Sequence, residues 1–280
     1  MLHSSGNKHV YKYRNFSKNH LQAMLENKVW YSVSSQFNDP FDSSEHLFSH
    51  GTSAKRLLNH FKENDTETYN KIKLFSAQKG VSMVDFLYAA LSDSSIQLDN
   101  LLHSICVENL KRSYILSTCQ AWDNVSMWSH YADYHKGFCV KYNVEKLVET
   151  SGEVIRYHSP VIYEEKSIDP LELFYADGNR FEVIDKIIST KSNVFLLENE
   201  YRFILNEIQR LPSETNDCYK PSSIPVSHRP EAIEAIYFGM NTSLSDKLML
   251  QKLLSDSQHI DYFDVVPSEN FSLVEKPFNF

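Results

Sequence analysis

The sequence predicts one α+β domain, and three observations carry that expectation. The first forty residues run strand, helix, strand and sharp turn. The stretch 53–110 changes to helical spacing with few breakers, and from Ser113 onward strand-like segments return between short helices. At 280 residues, 42% of them hydrophobic and 13% aromatic, the chain can bury a sizeable core, and its prolines isolate no linker that would divide it. The expected organisation is a single domain, 1–280, with a mainly helical insertion at about 53–110.

Taken in order, His9 to Arg14 reads as a short strand. Ser17 is placed to cap a helix in which His20, Leu21, Met24, Leu25 and Lys28 recur at helical spacing. Val29 to Ser34 alternates as a strand and ends in the turn Asn38-Asp39-Pro40. Two to four helices are expected in the insertion. Ser113 to Cys119 is a strand, Asn124 to Tyr134 a helix, Lys136-Gly137 a turn and Phe138 to Tyr142 a strand. A loop-rich section to Arg180 precedes a helix at about Phe181 to Ser189 and a strand over Val194 to Leu205. Asn206 to Arg229, with Pro212, Pro221 and Pro225 among serines, reads as an excursion. Order resumes at Ala232 to Phe238, with a helix near Ser245 to Ser255 and strands at Ile260 to Val266 and Phe271 to Val274.

Composition narrows the function classes. Seven glycines supply neither a dinucleotide fingerprint nor a phosphate loop. A net charge of −8 argues against broad attachment to nucleic acid or an anionic membrane. No apolar run approaches the roughly 18 residues of a membrane span, and the first ten residues lack a signal-peptide core. Cys106, Cys119, Cys139 and Cys218 are scattered without CxxC spacing. The expectation is a cytoplasmic protein with reduced thiols, no membrane partner and no resident metal.

The most informative segment is VFLLENEYRFIL, Val194 to Leu205. As a strand it would send Val194, Leu196, Glu198, Glu200, Arg202 and Ile204 to one face, and Phe195, Leu197, Tyr201, Phe203 and Leu205 to the other. The second face reads as core. The first is either a functional site or a surface ion-pair ladder. Arg14, flanked by tyrosines, is suited to grip a phosphate or carboxylate, or to stack structurally on a tyrosine. The turn Asn38-Asp39-Pro40, with Asp42, closes itself through side-chain bonds or lines a pocket. Trp128 and Tyr131 share a helical face, as core or as stacking surface. His130 and His135, five apart, do not share one, which speaks against a zinc pair. Neither GxSxG nor HExxH occurs.

Together YKYR (Tyr11–Arg14), FNDPFD (Phe37–Asp42), WSHYADYHKGFCVKY (Trp128–Tyr142), ENEYR (Glu198–Arg202) and IYFG (Ile236–Gly239) resemble a large bacterial family known as a domain of unknown function. The order of Arg-bearing strand, helix, Ser-bearing strand and late Glu-x-Glu strand is, more distantly, similar to the ADP-ribosyltransferase fold. That resemblance implies a mixed β core binding NAD as co-substrate. Arg14 would hold a phosphate or ribose, with Ser32 or Ser34 supporting the pocket, and Tyr11, Asn38 and Arg202 near the co-substrate. Glu200 would be the catalytic carboxylate and Glu198 would position the acceptor or assist it. Trp128 or Tyr131 would exclude water and stack on the departing ring. The chain departs from the pattern in lacking a Ser-Thr-Ser run on a middle strand; Ser117-Thr118 stands in another setting. The activity implied is ADP-ribosyl transfer to a protein or nucleic acid, or NAD cleavage, in a toxin or phage-defence effector. Two alternatives stay open: a magnesium-dependent nuclease using Asp39, Asp42, Glu198 and Glu200, and a non-catalytic nucleotide-sensing or protein-interaction module.

Overall fold

The computed structural model describes residues 8–47, 54–93, 107–149, 155, 157–168, 185–206 and 221–278. In chain order the elements are β1 (His9–Arg14), α1 (Lys18–Leu25), β2 (Lys28–Ser32), α2 (Ala54–Asn64), α3 (Thr66–Lys79), α4 (Met83–Asp93), β3 (Ser113–Cys119), α5 (Val125–Tyr131), β4 (Phe138–Asn143) and α6 (Val144–Val148). They continue with β5 (Tyr157–Pro160), β6 (Ile162–Glu164), β7 (Thr190–Ser192), β8 (Glu200–Asn206), β9 (Ser223–Ser227), β10 (Ile233–Phe238), α7 (Leu244–Leu253), β11 (Asp261–Pro267) and β12 (Leu273–Pro277).

Ten strands form one mixed sheet in the order β12-β11-β10-β4-β1-β3-β2-β9, and β8 and β5 extend it from β3. Pairing within it is antiparallel except between β10 and β11. β6 and β7 make a separate parallel pair. The protein is thus of mixed α+β class. None of its described helices is long and apolar enough to cross a membrane.

Local chemistry sets the helix ends. Ser17 Oγ accepts from His20 N at 3.4 Å and starts α1. Asp65 caps α3, which closes on Gly80 at φ 66. Asn124 Oδ1 accepts from Ser126 N and Met127 N to open α5. That helix stops at Tyr131, three residues before the expected end, because Asp133, Tyr134 and His135 take left-handed φ values of 48°, 52° and 67°.

The strand expected over Val194 to Leu205 begins only at Glu200. Residues 193–198 form a 3₁₀ turn that Ser192 opens, and Asn199 ends it in the left-handed region at φ 45. Val33 leaves β2, and Ser34 to Gln36 form another such turn. The section read as loop holds β5 and β6. The excursion read over Asn206 to Arg229 contains β9, which pairs with β2 from Lys28↔Ser227 to Ser32↔Ser223. Pro225 lies in it because β9 is the sheet's last strand, where a missing N–H disturbs no ladder. Residues 185–188 are helical and Ser189 is in a turn; the first four residues of the helix expected from Phe181, and Pro212, lie outside the described residues.

One face of the sheet carries the main core, including Val10, Tyr31, Leu116, Val140, Phe203 and Ile236. The other face has two smaller apolar clusters. Tyr13, Trp128, Cys139 and Tyr237 belong to one; Ile115, Ile187, Ile188 and Ile204 to the other. β8 is consequently buried on both faces, with Tyr201, Phe203 and Leu205 in the main core and Glu200, Arg202 and Ile204 opposite. The insertion helices α2, α3 and α4 pack on one another around Leu57, Phe61, Ile72 and Leu87.

Candidate functional site

The sheet opens at one place. β3 pairs along its full length with β8, from Ser113↔Asn206 to Cys119↔Glu200. Along its other edge it meets β1 only at Tyr11↔Cys119 and β2 only at Ser32↔Ile115. Between those two bridges stands Ser117. Its carbonyl accepts from the Lys12 ammonium. A charged side chain therefore takes the hydrogen bond that a neighbouring strand would otherwise make.

Beside this opening, between the two smaller apolar clusters, lies a buried ionic cluster built from distant parts of the chain. Arg202 is its centre. Nε donates to Glu200 Oε1 at 2.7 Å, and Nη2 donates to Glu200 Oε2 at 3.1 Å and to Asp42 Oδ2 at 2.5 Å. Nη1 donates to the Ile188 carbonyl at 2.7 Å and to Ser43 Oγ at 3.0 Å. All five guanidinium N–H groups are thereby used. Lys191, on β7, adds a second cation: its Nζ donates to Glu198 Oε2 at 2.7 Å and Glu200 Oε2 at 3.2 Å, and lies 3.4 Å from Asp42 Oδ2.

The charge states follow from these contacts. Burial alone would raise the Glu200 carboxyl; Arg202 foremost, then Lys191 and the Ser117 hydroxyl, override it and hold the group at about 2. Burial would lower the Lys191 ammonium, and Glu200, Asp42 and Glu198 outweigh that and raise it. Three carboxylates, Asp42, Glu198 and Glu200, face two cations, so the cluster keeps one negative charge.

A cavity of about 380 Å³ joins this cluster to the opening in the sheet. Asp42, Lys191, Glu198 and Glu200 form its anionic wall, while Lys12 and Arg14 form the wall at β1. Burial, then the neighbouring Arg14 charge, brings Lys12 down to about 8, and burial also lowers Arg14. Arg14 Nη1 lies 3.4 Å from His20 Nε2, and among the described residues no carboxylate lies within ion-pair distance of Lys12 or Arg14. Trp30, Phe37 and Tyr131 supply aromatic surface, and Ser32, Gln36 and Asn38 supply neutral hydrogen-bonding groups. Tyr131 donates to Glu198 Oε1 at 3.0 Å; burial and then the Glu198 charge push its phenol up to about 12. Beyond that hydrogen bond lies a wider groove of about 670 Å³, which shares Asn38, Met127, Tyr131 and Glu198 with the cavity.

Of the residues that the sequence singles out, Arg14, Ser32, Asn38, Asp42, Tyr131, Glu198 and Glu200 line this one cavity. The others do not. Trp128 is fully buried, set edge-on against Tyr13 at 5.1 Å, and its Nε1 donates to the Trp122 carbonyl. Tyr11 turns to Tyr237. Ser34 sits in the 3₁₀ turn after β2, outside the cavity lining. Arg202 stands behind Glu200 with no donor left for a ligand. The charged face of β8 is therefore not a surface ladder. The carboxylates that a magnesium site would need also differ from expectation: Asp42, Glu198 and Glu200 converge on Lys191, while Asp39 Oδ1 accepts from Phe41 N at 2.9 Å. Among the described residues no three His, Cys, Asp or Glu side chains gather at metal-binding distance.

Lys12 and Lys191 are charged residues of the cavity that the sequence reading did not single out. Lys12 was legible in principle, since YKYR puts it and Arg14 on one strand face. Lys191 carries no local signal.

Residues 127–203 match the model of a family described as a protein of unknown function, DUF2971. The matched segment runs from α5 to the middle of β8, and so includes Tyr131, Lys191, Glu198, Glu200 and Arg202. No curated protein and no solved structure matches the chain.

Proposed function

We propose that the cavity binds NAD and that the protein is an ADP-ribosyltransferase-like enzyme that cleaves the nicotinamide–ribose bond. The observation that carries this reading is the meeting of Arg14, Lys12, Ser32, Glu198 and Glu200 around one cavity with oppositely charged walls. NAD has the matching asymmetry, with an anionic pyrophosphate and a cationic nicotinamide ring. Lys12 and Arg14, which have no carboxylate partner among the described residues, suit the pyrophosphate, and charge-assisted bonds from a guanidinium are among the stronger contacts available. The wall that retains one negative charge suits the nicotinamide ribose. A cavity of about 380 Å³ lies within the range of small-molecule sites.

The two glutamates then divide the work differently from the sequence expectation. Glu200 is locked by Arg202 and Lys191, ionised at any working pH, and acts as a fixed charge. Glu198 is the carboxylate at the cavity mouth, with its side chain 16% exposed, and faces both the cavity and the outer groove. In this reading Glu198 accepts a hydrogen bond from the ribose and tightens it as positive charge grows on the sugar. The C–N bond breaks with its electron pair leaving on nicotinamide. A lone pair of water or of an acceptor group forms the new bond, and the nucleophile's proton passes to Glu198. Tyr131 and Trp30 limit water access.

Chromatographic detection of nicotinamide from NAD tests this directly. Wild type should release it, Glu198→Gln should fall at least a hundredfold in kcat, and Arg14→Ala should act mainly through KM. No release by wild type, with or without cell lysate as acceptor source, would reject the reading.

A further inference from the structure

The groove beyond the Tyr131–Glu198 hydrogen bond has its own construction. One wall is the 3₁₀ turn 193–198, held against α5 by Asn124 Nδ2, which donates to the Leu197 carbonyl. This wall offers Val194 at 79% and Leu197 at 72% exposure, large apolar side chains in water. The other wall ends in the left-handed turn Asp133–His135, which holds Tyr134 out at 71% exposure. Three successive non-glycine residues in that region cost roughly 1–2 kcal/mol each.

The turn is braced throughout. Gly137 N donates to the Ala132 carbonyl, Asn241 N to the His135 carbonyl and Asn241 Nδ2 to the Tyr134 carbonyl. A side chain at Gly239 would collide with the His135 carbonyl. The fold thus maintains a strained turn whose visible product is an aromatic side chain standing at the lip of a groove.

Charge decides what would lie there. Asp133, Glu198 and His130 line the groove, and among the described residues no lysine or arginine does. A nucleic acid would need cations to neutralise its phosphates, and the chain as a whole carries −8. We infer that the outer groove seats an extended polypeptide segment bearing aliphatic and basic side chains, as the second substrate of the adjoining cavity. Leu197 and Val194 would take the aliphatic groups, Tyr134 would cover the chain, and Asp133 would face a basic residue. Asn15, Asn38 and Ser126 offer polar side chains to its backbone. The second-substrate role rests on the NAD reading; occupancy of the groove does not.

The test is fluorescence anisotropy of a labelled peptide of alternating leucine and arginine, titrated with the full chain, and with oligothymidylate as the rival probe. Wild type should bind the peptide in preference to the oligonucleotide. Leu197→Asp should weaken that binding at least tenfold and Tyr134→Ala at least threefold, with unchanged melting temperature in Leu197→Asp because the side chain is exposed. General attraction of a basic peptide to an acidic protein would instead be unchanged or tightened by the added carboxylate. That result, preference for oligothymidylate, or no binding of the peptide would overturn the inference. Nicotinamide release measured without peptide separates the two claims. Peptide binding without release removes the NAD reading and leaves the groove; release without peptide binding does the reverse.

Discussion

Arg202→Met is the sharpest structural perturbation available, because it removes every bond that the guanidinium makes while roughly keeping side-chain volume. Glu200 and Asp42 would remain buried with only Lys191 between them, and Ser43 Oγ and the Ile188 carbonyl would each lose a donor. Breaking a buried pair by deleting one partner costs about 3–5 kcal/mol, since the survivor stays desolvated. Against a total stability of about 5–15 kcal/mol that is a large share. For a chain of this length each kcal/mol moves the melting temperature by roughly 2 °C, so the expected drop is about 6–10 °C. Thermal unfolding followed by circular dichroism at neutral pH reads it. Adding Glu200→Gln to Arg202→Met should recover part of the loss, because it removes one of the uncompensated charges. A single Arg202→Met variant that melts within 2 °C of wild type would refute the claim that this cluster organises the site.

Acid should act through the same residue. Glu200 is held at about 2 against an ordinary 4.5, so its folded-state value is depressed. Its contribution is therefore complete above about pH 4.5 and is lost as pH falls toward 2. The difference amounts to about 3 kcal/mol. Urea unfolding across that window should show a steeper loss in wild type than in Glu200→Gln. Gly137→Ala would drive a methyl group into the Arg14 carbonyl, and Gly239→Ala one into the His135 carbonyl, both backbone atoms that cannot rotate away. Each should destabilise by about 1–3 kcal/mol or more, measurable as a lower urea midpoint.

Much of the strand framework was legible because its signals are local. β1 and β3 have the bounds that alternation alone suggests, and Ser17 caps α1 as its position implies. β9 was hidden by Pro225 among serines. A proline in a strand carries information only once the strand is known to be an edge. The run Val194 to Glu198 looked like strand because it abuts one. Its four successive apolar residues do not alternate, however, and Val194, Leu196 and Leu197 are exposed in the turn. Seven residues of the cavity were readable as candidates, Arg14, Ser32 and Glu200 from strand faces and Asn38, Asp42, Tyr131 and Glu198 from polar turns and a helix face beside them. What could not be read was their use. Asp42 and Arg202 are 160 positions apart, and only the closed sheet brings the carboxylate to the guanidinium. Glu198 and Glu200 looked equivalent in sequence. Arg202 distinguishes them, by holding both oxygens of Glu200, while Glu198 shares Lys191 with it and meets Tyr131 at the mouth.

The central claim, that this cavity is an NAD site with a cationic wall at β1 and an anionic one at β8, is tested most directly by calorimetric titration of NAD into the wild-type protein and the double variant Lys12→Ala/Arg14→Ala. Wild type should bind at one site per chain. The double variant should bind at least thirtyfold more weakly while still folding, because it strands no carboxylate among the described residues and removes one donor, the Lys12 ammonium at the Ser117 carbonyl. Binding of equal strength in both proteins, or none in wild type, would contradict the account.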